Sequence, residues 1–263
     1  RHHPARVPIA GTVESFQAIT AQTLNDCHRA FYAPSNMALC VEGDVDPERI
    51  YAIALEALPQ ERMPVPHADY GEAENLLPAE CFASREMPVS APQFLAGFKC
   101  APAAEGNDYM RAAILGDMAS DILLGESSAL YQRLYEQGLI NPSFGGAFEM
   151  MPGVAYLYAG GDSKDANAVT DAILREAARI AAEGVDEDYF RRIRKASFGA
   201  NLRGLNSFEN IAVTLTEGYF HGYDPFRFPQ VFDSITKEDV AAFLRRNLTA
   251  ERAVLSEIVP REN

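Results

Sequence analysis

Apolar side chains return every three to four residues over some stretches of this chain and every second residue over others, and the two periods lay out its elements. Within residues 14–32, Leu24, Cys27, His28 and Phe31 share one face, which predicts a helix stopped by Ala33-Pro34-Ser35-Asn36. The short apolar run from Met37 to Val41 predicts a buried strand, closed by Gly43-Asp44. Asp46-Pro47-Glu48 opens a helix, with a cap residue before a proline in the first turn. That helix carries Ile50, Ile53, Ala54 and Leu58 and ends at Pro59. Strands are expected near 80–87 and 93–100, and a helix over 107–124 with Ile114, Leu115, Met118 and Ile122 as its apolar stripe. A shorter helix runs from Ser127 to about Gln137, with Gly138 at its C-cap. Residues 144–161 alternate like a pair of strands, helices dominate from Asp165 to Asn247, and Ala253 to Val259 reads as a last strand.

Two features organise these elements into domains. Pro59, Pro64, Pro66, Gly71 and Pro78 fall in a stretch with few periodic apolar positions, which reads as a linker. Sliding the sequence by 216 residues without a gap then brings Phe16 onto Phe232, Ile19-Thr20 onto Ile235-Thr236, Leu24 onto Val240 and Leu39 onto Leu255. In both copies the threonine can cap a helix that leads to a short apolar strand. The expected organisation is the tail of one α/β domain at 1–60, a linker at 61–79 and a second, related domain at 80–263.

Composition narrows the function classes. The chain is 48% hydrophobic and 23% charged, as ordinary globular proteins are, and its net charge is −14. That balance argues against nucleic acid, which needs clustered Lys and Arg, and against an anionic membrane surface. It leaves room for an acidic cavity that takes basic peptides. No apolar run approaches the length of a membrane span. Cys27, Cys40, Cys81 and Cys100 form no C-x-x-C pair and have apolar neighbours, so buried free thiols in a reducing, cytoplasmic compartment are expected. Arg1-His2-His3-Pro4 is neither a Met start nor a signal segment, and the chain reads as beginning in the middle of something.

Four stretches carry a family resemblance. They are His3-Pro4 followed by Ile9-Ala10-Gly11-Thr12-Val13-Glu14-Ser15; Phe31-Tyr32-Ala33-Pro34-Ser35-Asn36-Met37 running to Gly43-Asp44-Val45; Gly125-Glu126-Ser127-Ser128-Ala129-Leu130 continuing to Glu136-Gln137-Gly138-Leu139; and Gly160-Gly161-Asp162. Together, and in this order, they resemble the C-terminal portion of the pitrilysin or insulinase family of zinc peptidases, which includes the mitochondrial processing peptidases. The wording Ala10-Gly11-Thr12-Val13-Glu14-Ser15 is most similar to a bacterial cytoplasmic subgroup. The resemblance implies an α/β (α+β) fold, an antiparallel or mixed sheet covered by helices, in two homologous domains that enclose an extended peptide.

The family's chemistry rests on H-x-x-E-H, whose histidines bind zinc and whose glutamate acts as base. This chain has His2, His3, His28, His67 and His221, none with that spacing, and no Glu-His dipeptide. No zinc and no catalytic residue are therefore expected in this chain; zinc belongs to the parent family. Two explanations stand: the motif lies upstream in a missing N-terminal domain, or the chain is a non-catalytic partner or assembly subunit that has lost the site. The resemblance also implies an Arg, and a Tyr two helical turns further on, that hold substrate near the end of a long helix. Here Glu217 stands where the Arg is expected, and Tyr219 or Tyr223 is the nearest Tyr. The implied partners are an extended peptide and the N-terminal domain or a homologous subunit, with a homodimer as another way to cover the truncated domain.

Plainer readings account for the remaining candidates. His2-His3 belongs to a structural lead-in loop, and His28 reads as a core histidine on an apolar helix face. Ser127-Ser128 lacks the second glycine of a nucleophile elbow, so Ser127 reads as a helix cap. Glu183, Asp186, Glu187 and Asp188 around Gly184 read as two solvated helix ends.

Overall fold

A computed structural model describes residues 2–58 and 64–261. Five strands, β1 (Phe82–Met87), β2 (Gln93–Cys100), β3 (Gly145–Met151), β4 (Val154–Asp162) and β5 (Ala253–Pro260), form one sheet in the order β1-β5-β2-β4-β3. β2, β3, β4 and β5 pair antiparallel, while β1 lies parallel to β5, so the sheet is mixed. β3 and β4 are joined by Pro152-Gly153, where Gly153 takes a φ of 81° that a residue with a Cβ rarely adopts.

The period-two pattern decides which face is covered. Phe94, Ala96, Phe98 and Cys100 of β2 and Ala155, Leu157 and Ala159 of β4 are buried. They meet α4 (Asn107–Leu124), α6 (Ala166–Glu183) and α10 (Lys237–Asn247), whose Met118, Ile173 and Leu244 complete the core. The alternate residues Leu95, Lys99, Tyr156, Tyr158 and Val254 line an open groove on the other face. α5 (Ala129–Glu136), α7 (Glu187–Gly204), α8 (Phe208–His221) and α9 (Phe228–Ser234) surround this layer. Gly116 sets the closeness of the helix layer: a Cβ there would lie 2.2 Å from the ring of Phe148 on β3.

Several local expectations need correction. Ser128, not Ser127, caps α5, because its Oγ is the one that accepts from the Tyr131 amide, at 3.0 Å. The helix expected over 14–32 is two helices, α1 (Val13–Ala18) and α2 (Ala21–Phe31), divided where Thr20 turns extended to cap α2. α3 (Pro47–Ala57) is capped by Asp46 as its sequence demands; Pro59 lies outside the described residues. Met37–Val41 forms no strand: residues 37–42 pair with no neighbour among the described residues. A strand exists only when a partner satisfies its backbone, and all five strands of the sheet come from 82–260. His28 is exposed and stacks on Tyr32 instead of sitting in a core. All four cysteines are free, but only Cys100 is buried; Cys27 and Cys81 are exposed and Cys40 is intermediate.

The same 216-residue step links the elements themselves. α2 at 21–31 maps onto α10 at 237–247, and the 3-10 turn Pro34–Asn36 onto the 3-10 turn Ala250–Arg252, without a residue of slippage. Thr20 and Thr236 cap with nearly equal backbone angles, φ −114°, ψ 164° and φ −108°, ψ 164°. The step carries residues 37–44 onto β5, which is seated between β1 and β2. Within 2–58 only His3 and Ala33 are buried.

Candidate functional site

The residues expected to touch substrate lie at the end of α8, and the local backbone explains their placement. Gly222 ends the helix in the left-handed region, with a φ of 72°. The chain then doubles back, and the Tyr223 amide donates to the Gly218 carbonyl at 2.9 Å. Gly218 is needed for this, since a Cβ there would meet the Tyr223 carbonyl oxygen and the Pro225 ring, each at 2.8 Å. The turn aims Tyr223 toward α4, beside Glu217, on the wall of a cavity of about 380 Å³ between α4, α7 and α8. Tyr219 points elsewhere: it is exposed and meets only the edge of Phe220 among the ring contacts. Glu217 and Tyr223 are therefore brought together, and Tyr219 is not.

Side chains that the sequence reading passed over complete the site. Tyr109, in the first turn of α4, stacks on His221 at 4.0 Å and donates its hydroxyl to the Met150 carbonyl at 2.9 Å. His221 Nδ1 lies 3.0 Å from a carboxylate oxygen of Glu105, and its carbonyl accepts from the Gly106 amide at 2.7 Å. These contacts pin the end of α8 to the start of α4 and to β3. Asp117 enters the cavity from α4. The available signal was its spacing: Asp117 and Asp121 stand one turn apart in the second half of α4, where their neighbours are mostly apolar.

The charged side chains that line the cavity, Asp117 and Glu217, are both carboxylates. Burial, reinforced by Asp121 and Glu149, pushes the Asp117 carboxyl up to about 6, although one side of it still meets solvent. Burial and then Glu105, Glu217 and Glu149 raise the Tyr109 hydroxyl. Burial, Glu217 and Tyr109 raise Tyr223. On the open face of the sheet, burial, Glu149 and Tyr158 raise Tyr156. The arrangement offers carboxylates, phenols and apolar surface to a ligand that donates hydrogen bonds or carries positive charge. Among the described residues no group of three or more His, Cys, Asp or Glu side chains could hold a metal ion. His3 is structural: it is buried, its Nε2 lies 2.8 Å from the Pro152 carbonyl, and it stacks on Tyr70. Glu74 accepts from the His2 and His3 amides and pairs with Lys99 at 3.3 Å, which ties this lead-in to the sheet.

Comparison with known proteins gives the family of the chain. Residues 18–197 match the family profile described as the peptidase M16 inactive domain. The chain is 32% identical over 270 residues to the uncharacterized zinc protease YmfH of Bacillus subtilis, covering 99% of this chain and 61% of that protein. Among solved structures, an M16-like peptidase of Alicyclobacillus acidocaldarius aligns at a TM-score of 0.88 and 28% identity, over 99% of this chain and 63% of that one. The peptidase M16 inactive domain of Pseudomonas fluorescens, at 19% identity, shares the fold at a TM-score of 0.77, over 96% of this chain and 60% of that one. The chain thus spans about three fifths of the length of these relatives.

Proposed function

The chain belongs to the M16 family of peptidases, and we propose that it serves there as the non-catalytic, substrate-enclosing half of a zinc metallopeptidase. The observation that carries the reading is the match of residues 18–197 to the family's inactive domain in a chain without H-x-x-E-H. The zinc that the family implies fits no side-chain group among the described residues, so no step of hydrolysis is assigned to them. Their part is to bind: Glu217, Tyr223 and Asp117 on one cavity, and Tyr156, Tyr158 and Lys99 on the open sheet, accept an extended peptide.

The partner is an N-terminal domain of the same fold, and the 216-residue correspondence supports it. Residues 1–60 are the tail of that domain, with 12–42 its repeated part, and 80–263 form the second. Phe16, Leu24 and Leu39 are exposed here, while Phe232, Val240 and Leu255, their counterparts, are buried by the sheet and helices around β5. A second copy of this chain is a poorer cover, because the place beside β1 and β2 that would receive residues 37–44 already holds its own β5.

Metal analysis and peptide hydrolysis, measured on the intact protein and on the 263-residue chain, test the reading. The intact protein is expected to hold zinc and cleave unstructured peptides until a chelator is added, and the chain alone to do neither. One tightly held zinc per chain, or cleavage by the chain alone, would sink it. Glu217, standing where the family resemblance implies an Arg, favours a second reading: a partner or assembly subunit that encloses peptides without cutting them. An intact protein that binds peptide but holds no zinc would decide for that one.

A further inference from the structure

The start of α4, the end of α10 and the turn leading into β5 enclose a separate cavity of about 430 Å³. Its floor is apolar, formed by Leu115 with Phe148 and Phe243, whose rings meet edge to face at 5.5 Å. Three arginines reach its walls from three different elements: Arg111, Arg246 and Arg252.

Their commitments differ. Arg111 donates to the Asp239 carboxylate at 3.0 Å and is neutralised there. Arg246 gives its Nε to the Ala242 carbonyl at 3.4 Å, and Arg252 one nitrogen to Oδ1 of the buried Asn247 at 3.0 Å. Among the described residues, neither Arg246 nor Arg252 has a carboxylate within ion-pair distance. In a chain with a net charge of −14, two guanidiniums left uncompensated beside one apolar hollow call for an explanation. The C-terminal dipole of α10 accounts for Arg245 and Arg246 in its last turn. It does not account for Arg252, which arrives from the far side of the turn, nor for the hollow between them.

We propose that this cavity binds a small organic anion, an oxyanion carried on an apolar group, with Arg246 and Arg252 gripping the oxyanion. Guanidinium presents planar paired donors that match a carboxylate or a phosphate ester, and the floor of Leu115, Phe148 and Phe243 covers the apolar body. The volume falls within the range of small-molecule sites, about 300–1,000 Å³. Asp108, exposed on the same wall, is a like charge that a bound oxyanion must face away from. The C-terminal residue of a peptide, with its carboxylate and a hydrophobic side chain, has this chemistry. Every residue that lines the pocket belongs to this chain.

Calorimetric titration of the intact protein with N-acetyl-leucine, N-acetyl-leucine amide and phenyl phosphate tests the site. N-acetyl-leucine is expected to bind at least about tenfold more tightly than its amide, and Arg246→Gln or Arg252→Gln each to weaken it about tenfold, as loss of a charged hydrogen bond does. Tighter binding of phenyl phosphate would keep the site and assign it to phosphate esters. Equal binding of acid and amide, no binding of either anion, or unchanged binding by the folded double variant would overturn the proposal. The wild-type protein supplies a second readout that needs no variant. N-acetyl-leucine should slow phenylglyoxal labelling of Arg246 and Arg252 but not of Arg191, whose guanidinium pairs with Asp188 on α7. Absence of that protection would also overturn it.

Discussion

Leu24→Ala should be nearly silent in the 263-residue chain and costly in the intact protein. In this chain the Leu24 side chain is 61% exposed, whereas Val240, its counterpart 216 residues on, is 0% exposed. Phe16 and Leu39 repeat the contrast, at 60% and 69% against 1% for Phe232 and 6% for Leu255. Burying a large apolar side chain stabilises by about 1.5–3 kcal/mol, so covering these three to the level of their counterparts is worth roughly 3–5 kcal/mol. That sum is a sizeable fraction of a domain's stability of about 5–15 kcal/mol, so it favours docking. Removing Leu24 from a covered site then costs about 2–5 kcal/mol, through lost transfer energy and the cavity left behind. Removing it from water changes stability by about 0.5 kcal/mol or less.

Urea unfolding followed by circular dichroism, run on both forms with Leu24→Ala and Val240→Ala, gives the comparison. Val240→Ala is the control, because Val240 is covered in either form and should cost about 2 kcal/mol or more in each. A Leu24→Ala effect of the same size in both forms would refute the claim that residues 12–42 are completed from outside this chain. If the common effect is large, these residues already pack within the chain. If it is small, nothing covers them in the intact protein.

Three further outcomes follow from the packed half. Asp117 is protonated more readily folded, near 6, than unfolded, near 3.8, so its contribution is full below the lower value and is lost as pH rises through the upper one. Asp117→Asn should remove that downward slope between pH 4 and 6 and stabilise at pH 7 by about 1 kcal/mol or less, since solvent screens the exposed carboxylate; an unchanged slope in thermal melts would refute the assignment. Gly116→Ala should destabilise by about 1–3 kcal/mol despite the better helix propensity of alanine, because the Phe148 ring fills the space its Cβ needs. A second substitution, Phe148→Ala, should bring the two closer to coupling than to additivity in a double-mutant cycle. Glu176, almost wholly buried, accepts from Arg133 at 3.1 Å and Arg179 at 2.7 Å. Glu176→Ala should lower the urea midpoint by an amount equivalent to about 1–3 kcal/mol, the half-exposed arginines recovering some hydration, and a neutral result would mean that the pair is only superficial.

What the sequence made legible, and what it did not, separates along one physical line. Helix ends are written locally: Thr236, Asp46 and Asp165 cap α10, α3 and α6 through their own side chains, and Gly184 and Gly222 end α6 and α8 through a backbone that other residues avoid. An apolar stripe is local too, but it states only which side of an element would be buried. His28, Cys27 and the run Met37–Val41 carry core-like patterns and stand in solvent, because burial and strand pairing depend on a partner that local pattern cannot supply. The candidate site divides in the same way. Glu217 and Tyr223 are singled out by the family resemblance, which expects an Arg and a Tyr two helical turns apart at the end of a long helix, whereas Tyr109, Asp117 and Glu149 join them only through the packing of α4 on β3. The arginine pocket is the extreme case: Arg111, Arg246 and Arg252 sit in no motif, and only the closure of α10 and β5 against α4 brings their charges to one cavity. Chemistry carried by a short motif is present or absent as a whole, and H-x-x-E-H is absent from this sequence. Chemistry assembled by packing is visible only where residues pack, which is why 82–260 yields cavities while 2–58, buried only at His3 and Ala33, yields an exposed apolar pattern.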